Sequence, residues 1–214
     1  MTIRLEKMIP LPLVEQKVDG SGIWKLDSVE FLEGTSYLVE APSGKGKTSL
    51  LSVIYGIRPD YLGKVFIDDQ DITEFSTRTW SITRKTRLSY IFQGLELFGE
   101  LTALDNILLK NAITGHKTGD EITRMAERLG IREFLHRKAG ILSFGQQQRV
   151  AIIRALCQPF DFLLADECFS HMDRRNALTA LGLILDECGG RGAGMIITSL
   201  HAMEEADIDE RIKL

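Results

Sequence analysis

The octapeptide Ala41-Pro42-Ser43-Gly44-Lys45-Gly46-Lys47-Thr48 follows the apolar run Ser36–Glu40 and leads into the helix-forming stretch Thr48–Tyr55. A Gly-rich turn between a strand and a helix points backbone N–H groups into a concavity, and the helix N-terminus adds partial positive charge. Such a turn is built for phosphate. Lys47 reaches the β- and γ-phosphates and the Thr48 hydroxyl is a Mg²⁺ ligand. Gly44 and Gly46 let the backbone approach without a Cβ in the way. The candidate nucleotide cradle is Pro42, Ser43, Gly44, Lys45, Gly46, Lys47, Thr48 and Ser49, with the Lys45 side chain toward solvent. The usual pattern is Gly-x-x-x-x-Gly-Lys-Ser/Thr. Here Ala41 takes the first glycine's place, which costs nothing if its φ is negative. The bland alternative, an exposed Gly/Lys turn, is disfavoured by the strand before it and the helix after it.

The rest of the chain alternates in the same way. Lys64–Asp68, Leu88–Phe92, Phe162–Ala165 and Met195–Thr198 read as strands, and Arg211–Leu214 as an edge strand. Leu101–Ile113, Glu121–Leu129, Gly145–Cys157 and Arg174–Glu187 read as helices, bounded by Gly- or Pro-containing turns. The first ~35 residues, with the turn Val18–Gly22, read as strands of a small β layer. Alternating strands and helices predict an α/β fold with a mainly parallel sheet covered on both faces. The stretch from about 94 to 141 breaks the alternation. The expected organisation is one domain over 1–214: a nucleotide-binding core of 1–93 and 142–214, and an inserted helical subdomain of 94–141.

Bulk properties exclude several classes. The 214 residues suffice for one domain, and a net charge of −4 offers no basic surface for nucleic acid. No apolar run approaches the ~20 residues of a membrane-spanning helix, and the N-terminus lacks the order of a secretory signal. Cys157, Cys168 and Cys188 are odd in number and lack metal-ligand spacing, so reduced packing thiols in a cytosolic protein are expected.

Phe162–Ala165 ends in Asp166-Glu167. In a parallel sheet the strand C-termini line the ligand crevice. Asp166 is therefore expected near Mg²⁺ and its water shell. Glu167, one residue on, is the candidate base that polarises the attacking water, a role worth ~10²–10⁴-fold in rate.

A second segment, Leu142-Ser143-Phe144-Gly145-Gln146-Gln147-Gln148-Arg149, adds to the loop and the acidic pair. Together they resemble the ATP-binding cassette ATPases over almost the full length of the chain. The resemblance puts Leu142–Gln146 at that family's signature, usually Leu-Ser-Gly-Gly-Gln. It puts Gln93 at the Q-loop glutamine, contacting Mg²⁺ and the attacking water. Ser170-His171-Met172-Asp173 falls at the interfacial D-loop, and His201 at the switch histidine, contacting the γ-phosphate. It implies that Glu167, His201 and Gln93 are catalytic, and that Thr48, Gln93 and Asp166 serve the metal. Ser143, Gly145 and Gln146 then complete the ATP site of a second subunit, so that a homodimer or paralogous heterodimer sandwiches ATP.

Three positions depart from the family. Phe144 replaces the first signature glycine, and Cys168 the common proline after the catalytic glutamate. No aromatic stands where adenine usually stacks: Val18 falls there, and Trp24 is the nearest aromatic, its plainest role being core packing. For Cys168 a small packing residue competes with a redox role. His116, His136 and His171 have no partners at ligand spacing.

The resemblance implies an ATPase subunit at the cytoplasmic face of a membrane, driving separate transmembrane subunits. The similarity runs to short cassettes of the lipoprotein-release, macrolide-export and cell-division types. The alternative is an ATP-gated dimerising regulator or scaffold with low turnover, toward which Ala41, Phe144 and the missing aromatic point.

Overall fold

A computed structural model describes residues 1–15, 22–200 and 207–214. In chain order the elements are strand β1 (Thr2–Pro10), short helices α1 (Leu11–Glu15) and α2 (Gly22–Lys25), strands β2 (Ser28–Leu32) and β3 (Ser36–Glu40), and helix α3 (Lys47–Ile54). Strands β4 (Tyr61–Ile67) and β5 (Gln70–Asp71), helix α4 (Thr77–Thr86) and strand β6 (Leu88–Ile91) follow. Next come helices α5 (Ala103–Asn111), α6 (Gly119–Arg128) and α7 (Phe144–Leu156), strand β7 (Phe162–Asp166), helix α8 (Arg174–Gly189), and strands β8 (Gly194–Ser199) and β9 (Glu210–Lys213).

One sheet has the order β6-β7-β8-β3-β9, every neighbouring pair parallel. The other, β2-β1-β4-β5, is antiparallel. Successive side chains of a strand point to opposite faces, and the parallel sheet divides its residues accordingly. Leu38, Leu163, Ala165, Met195 and Ile197 enter the core beneath α5–α8. Tyr37, Val39, Leu164 and Ile196 enter the core shared with α3 and the antiparallel layer. Burial on both faces explains why these strands read as continuous apolar runs. Because all run the same way, the loops after β3, β6 and β7 meet along one edge.

The helices begin where short polar side chains satisfy free backbone donors. Thr102 with Asp105, Thr118 with Glu121, and Ser143 with Gln146 form reciprocal caps on α5, α6 and α7. Ser76 and Asp173 cap α4 and α8.

The structure corrects the sequence reading at the N-terminus: α1 and α2 stand between β1 and β2 where only strands were expected. Val18 and most of its turn lie outside the described residues. Helix α4 was not foreseen. Of its residues only Thr83 is buried, so it carries no apolar stripe to betray it. Between Gly94 and Ile141 the described chain holds α5, α6 and two 3₁₀ turns, Arg132–Phe134 and Ala139–Ile141. Among the described residues no helix is long and apolar enough to cross a membrane.

Candidate functional site

The loop after β3 wraps the first turn of α3. Gly46 caps that helix in the left-handed region, at φ 94°. A Cβ there would stand 2.5 Å from Leu13 Cδ1 and 3.1 Å from Trp24 Cζ2, so only glycine fits. Gly44, at φ 79°, faces open space, which leaves its backbone approachable. Ala41 has no positive φ and is buried, so the methyl group that breaks the usual pattern sits without strain. Trp24 is 8% exposed and its indole N–H donates to Lys45 O at 3.3 Å. It is a packing residue that braces the loop from beneath. The Lys45 side chain is exposed, as expected.

Lys47 is 3% exposed. Its Nζ donates to Ala41 O at 2.6 Å and Pro42 O at 3.1 Å, and pairs with Glu167 Oε1 at 3.1 Å. Glu167 follows β7 with φ 47°, a left-handed backbone held by its N–H, which donates to both Thr198 O and Thr198 Oγ1 at 3.2 Å. Gln93, just past β6, joins the set: its Nε2 donates to Glu167 Oε2 at 3.3 Å, and Thr48 Oγ1 donates to its Oε1 at 3.4 Å. Lys47, Thr48, Gln93 and Glu167, drawn from three strand ends, thus form one connected cluster.

Asp166 is fully buried. One carboxylate oxygen accepts from Thr198 Oγ1 at 2.7 Å, while Oδ2 has no partner among the described residues. Burial pushes this carboxyl above the usual range and the Glu167 charge adds to it; the Thr198 hydrogen bond, the nearby Thr48 hydroxyl and the Lys47 charge oppose the shift. An orphaned buried oxygen beside the Thr48 hydroxyl and the Gln93 amide suits a hard cation. Mg²⁺ typically takes one or two carboxylates and completes its shell with phosphates and water. No group of three or more His, Cys, Asp or Glu side chains able to hold a metal occurs among the described residues.

Thr198 escaped the sequence reading. It ties Asp166 to Glu167, yet in the sequence it is only the last residue of an apolar run. The one available signal was a hydroxyl closing a buried strand. His201 lies outside the described residues. Ser49, on the first turn of α3, accepts from Arg58 Nη1 at 2.9 Å; Pro42 and Ser43 are exposed.

Ser143, Gly145 and Gln146 sit at the start of α7, and among the described residues no hydrogen bond joins them to the loop. Ser143 Oγ accepts from Gln146 N at 3.3 Å, and Gln146 Oε1 accepts from Ser143 N at 2.9 Å. Phe144 is 42% exposed. Its ring meets His171 edge-on at 4.4 Å between centroids. A Cβ on Gly145 would reach His171 O at 3.0 Å. Burial pushes the Cys157 and Cys188 thiols up to about 12 and raises Cys168 as well. Thiols so far from ionisation are inert packing groups.

The parallel sheet and the lysine-bearing loop at its edge define a phosphate-loop nucleotide-binding fold. A family model described as ABC transporter matches residues 27–170. The chain belongs to this family and is its ATPase cassette. It is 32% identical over 185 residues to an uncharacterized ABC transporter ATP-binding protein of Thermotoga maritima, covering 84% of this chain and 77% of the relative. It is 31% identical over 191 residues to the lipoprotein-releasing system ATP-binding protein LolD 1 of Rhodopirellula baltica, covering 87% and 83%. With the molybdate/tungstate import ATP-binding protein WtpC of Pyrococcus horikoshii the identity is 39% over 155 residues, covering 70% of this chain but 43% of that longer protein. Among solved structures, a dimeric bacterial ABC transporter cassette superposes at TM-score 0.78 with 23% identity, covering 99% of this chain and 94% of that one. A cassette in a post-hydrolysis state bound to ADP and Pi superposes at 0.74 with 26% identity, covering 94% and 88%.

Proposed function

We propose that this cassette hydrolyses ATP between two copies, or between itself and a paralogue, and drives separate transmembrane subunits. The observation that carries the reading is the cluster in which Lys47, Thr48, Gln93 and Glu167 converge beside Asp166. It joins a phosphate-binding cation, metal donors and a carboxylate base within hydrogen-bond reach of one another. Lys47, the loop N–H groups and Ser49 hold the phosphates. Thr48, Gln93 and Asp166 hold Mg²⁺, which when bound neutralises phosphate charge. Glu167 takes the proton of the attacking water, and Gln93 orients it. His201 is assigned to the γ-phosphate on the resemblance alone.

The start of α7 supplies the second half of the site. Its cap consumes the N–H groups of Ser143 and Gln146, while those of Phe144 and Gly145 and the helix dipole are left for an anion from the facing copy. Residues 94–141 are assigned to the unit that follows nucleotide state, because Gln93 stands at its entrance. Where it meets the core, a groove of 280 Å³ is lined in part by Tyr90, Phe92, Phe98, Leu109 and Ile113. Phe98, Leu109 and Ile113 are 48–60% exposed, the kind of apolar patch that marks a protein partner; the membrane subunit is assigned to it. The assembled cluster argues against a scaffold that only binds ATP.

Complementation tests the shared site. Lys47→Ala disables the loop. Ser143→Asp keeps a good helix cap but sets a carboxylate against the incoming phosphate. Each variant alone is expected to be inactive, and a mixture to regain one working site per heterodimer. Tagged heterodimers that form yet show no ATPase activity would refute the arrangement.

A further inference from the structure

Ser49 and Arg58 carry an inference that deepens the nucleotide reading and rests on it. Arg58 lies in the turn after α3 and reaches back along the helix. Its Nε and Nη2 donate to Asp60 Oδ1 and Oδ2, each at 3.0 Å, a two-pronged grip that fixes the guanidinium plane. That bond to Arg58 holds the Asp60 carboxyl below its usual range, so it stays charged through neutral pH. Asp60 is itself tied down, because its carbonyl accepts from Leu11 N at 3.0 Å. The remaining prong, Nη1, donates to Ser49 Oγ at 2.9 Å.

A hydroxyl has one proton and two lone pairs. Arg58 occupies a lone pair of Ser49, and no group among the described residues accepts the Ser49 proton. A cation donating into an oxygen polarises its O–H and strengthens it as a donor. Ser49 stands one residue past Thr48 on the first turn of α3, where an anion is already favoured.

We propose that Arg58 is a positioning residue for the nucleotide: clamped by Asp60, it presents the Ser49 proton to a phosphate oxygen. Arg58 does not touch the ligand. It sets the orientation and donor strength of the group that does. Lysine cannot take its place, because one ammonium cannot span both Asp60 oxygens and Ser49 in a fixed plane.

The test is a double-mutant cycle on MgADP affinity by titration calorimetry, which needs no turnover. Ser49→Ala and Arg58→Met are each expected to weaken binding by about tenfold, the effect of one charge-assisted hydrogen bond. The double variant is expected to be no weaker than either single one, and Arg58→Lys to fall with Arg58→Met. A merely structural Arg58 would weaken Ser49→Ala further, so additive losses overturn the proposal. Wild-type affinity in Arg58→Met overturns it too. Lys47→Ala separates the underlying reading. If that variant still binds MgADP normally, the loop is not the nucleotide site and both readings fall. If it loses binding while Arg58→Met keeps it, only the role of Arg58 is refuted. Should Arg58→Met fail to fold, Asp60→Asn, which loosens the grip without removing the guanidinium, gives the same cycle against Ser49→Ala.

Discussion

Glu167→Gln is expected to tighten ATP binding while it stops hydrolysis. Lys47 pairs with Glu167 at 3.1 Å, and the two side chains are 3% and 10% exposed. An ATP γ-phosphate must compete for that ammonium and approach the Glu167 charge as well. At an effective dielectric of about 20, two unit charges this far apart interact by roughly 5 kcal/mol. Desolvation and the carbonyls of Ala41 and Pro42, which also hold Nζ, absorb much of it. A net gain of about 1.4–2.8 kcal/mol remains for the neutral variant, or roughly 10–100-fold in affinity. Glutamine keeps the size of the side chain and its hydrogen bonding to Gln93. Calorimetric titration of wild type and variant with a non-hydrolysable ATP analogue measures the difference directly. Equal or weaker binding by Glu167→Gln would show that the pair does not compete with nucleotide, and the argument would fail.

Two further outcomes follow from the geometry. Thr198→Val strips Asp166 of its one direct hydrogen bond among the described residues and leaves a buried carboxylate poorly satisfied. It is expected to cost about 1–3 kcal/mol in urea unfolding, whereas Thr198→Ser retains the bond; a neutral Thr198→Val contradicts this account. The α6 cap has a pH signature. Backbone and side-chain hydrogen bonds from Thr118, with Lys117 assisting, hold the Glu121 carboxyl down to about 2, from a usual 4.5. A carboxyl lowered on folding stabilises above its unfolded value and loses that contribution as pH falls toward the folded one. The stability difference between wild type and Glu121→Gln is therefore expected to be constant above about pH 5 and to shrink between about 4.5 and 2. A difference that persists below pH 2 would contradict it.

The sequence carried most of the site because most of it is local. The loop, its lysine and the strand-terminal carboxylates lie within short segments whose spacing has a physical meaning. Gln93 stands at the end of a legible strand, but only the family resemblance singles it out. What stayed hidden depends on distant parts of the chain. Thr198 meets Asp166 across 32 residues of sequence. Arg58 matters only because α3 folds it back over nine residues to Ser49. The left-handed backbone of Glu167 has no glycine or asparagine to announce it, since tertiary hydrogen bonds impose it. The missed α4 and the short α1 and α2 mark the same limit: a helix without an apolar stripe, and helices of four or five residues, leave no period to read.

Ser143 and Gln146 cap their own helix with the atoms expected to face a neighbour, and this complicates any genetics of the motif. An allele that removes the hydroxyl injures folding and assembly together, so a lost phenotype cannot be assigned to either. Under the proposed sandwich, replacements that keep an oxygen at the cap are expected to act on assembly alone. Surveys of variants at this segment therefore need sorting by helix-capping ability before they are read as a map of contacts between subunits.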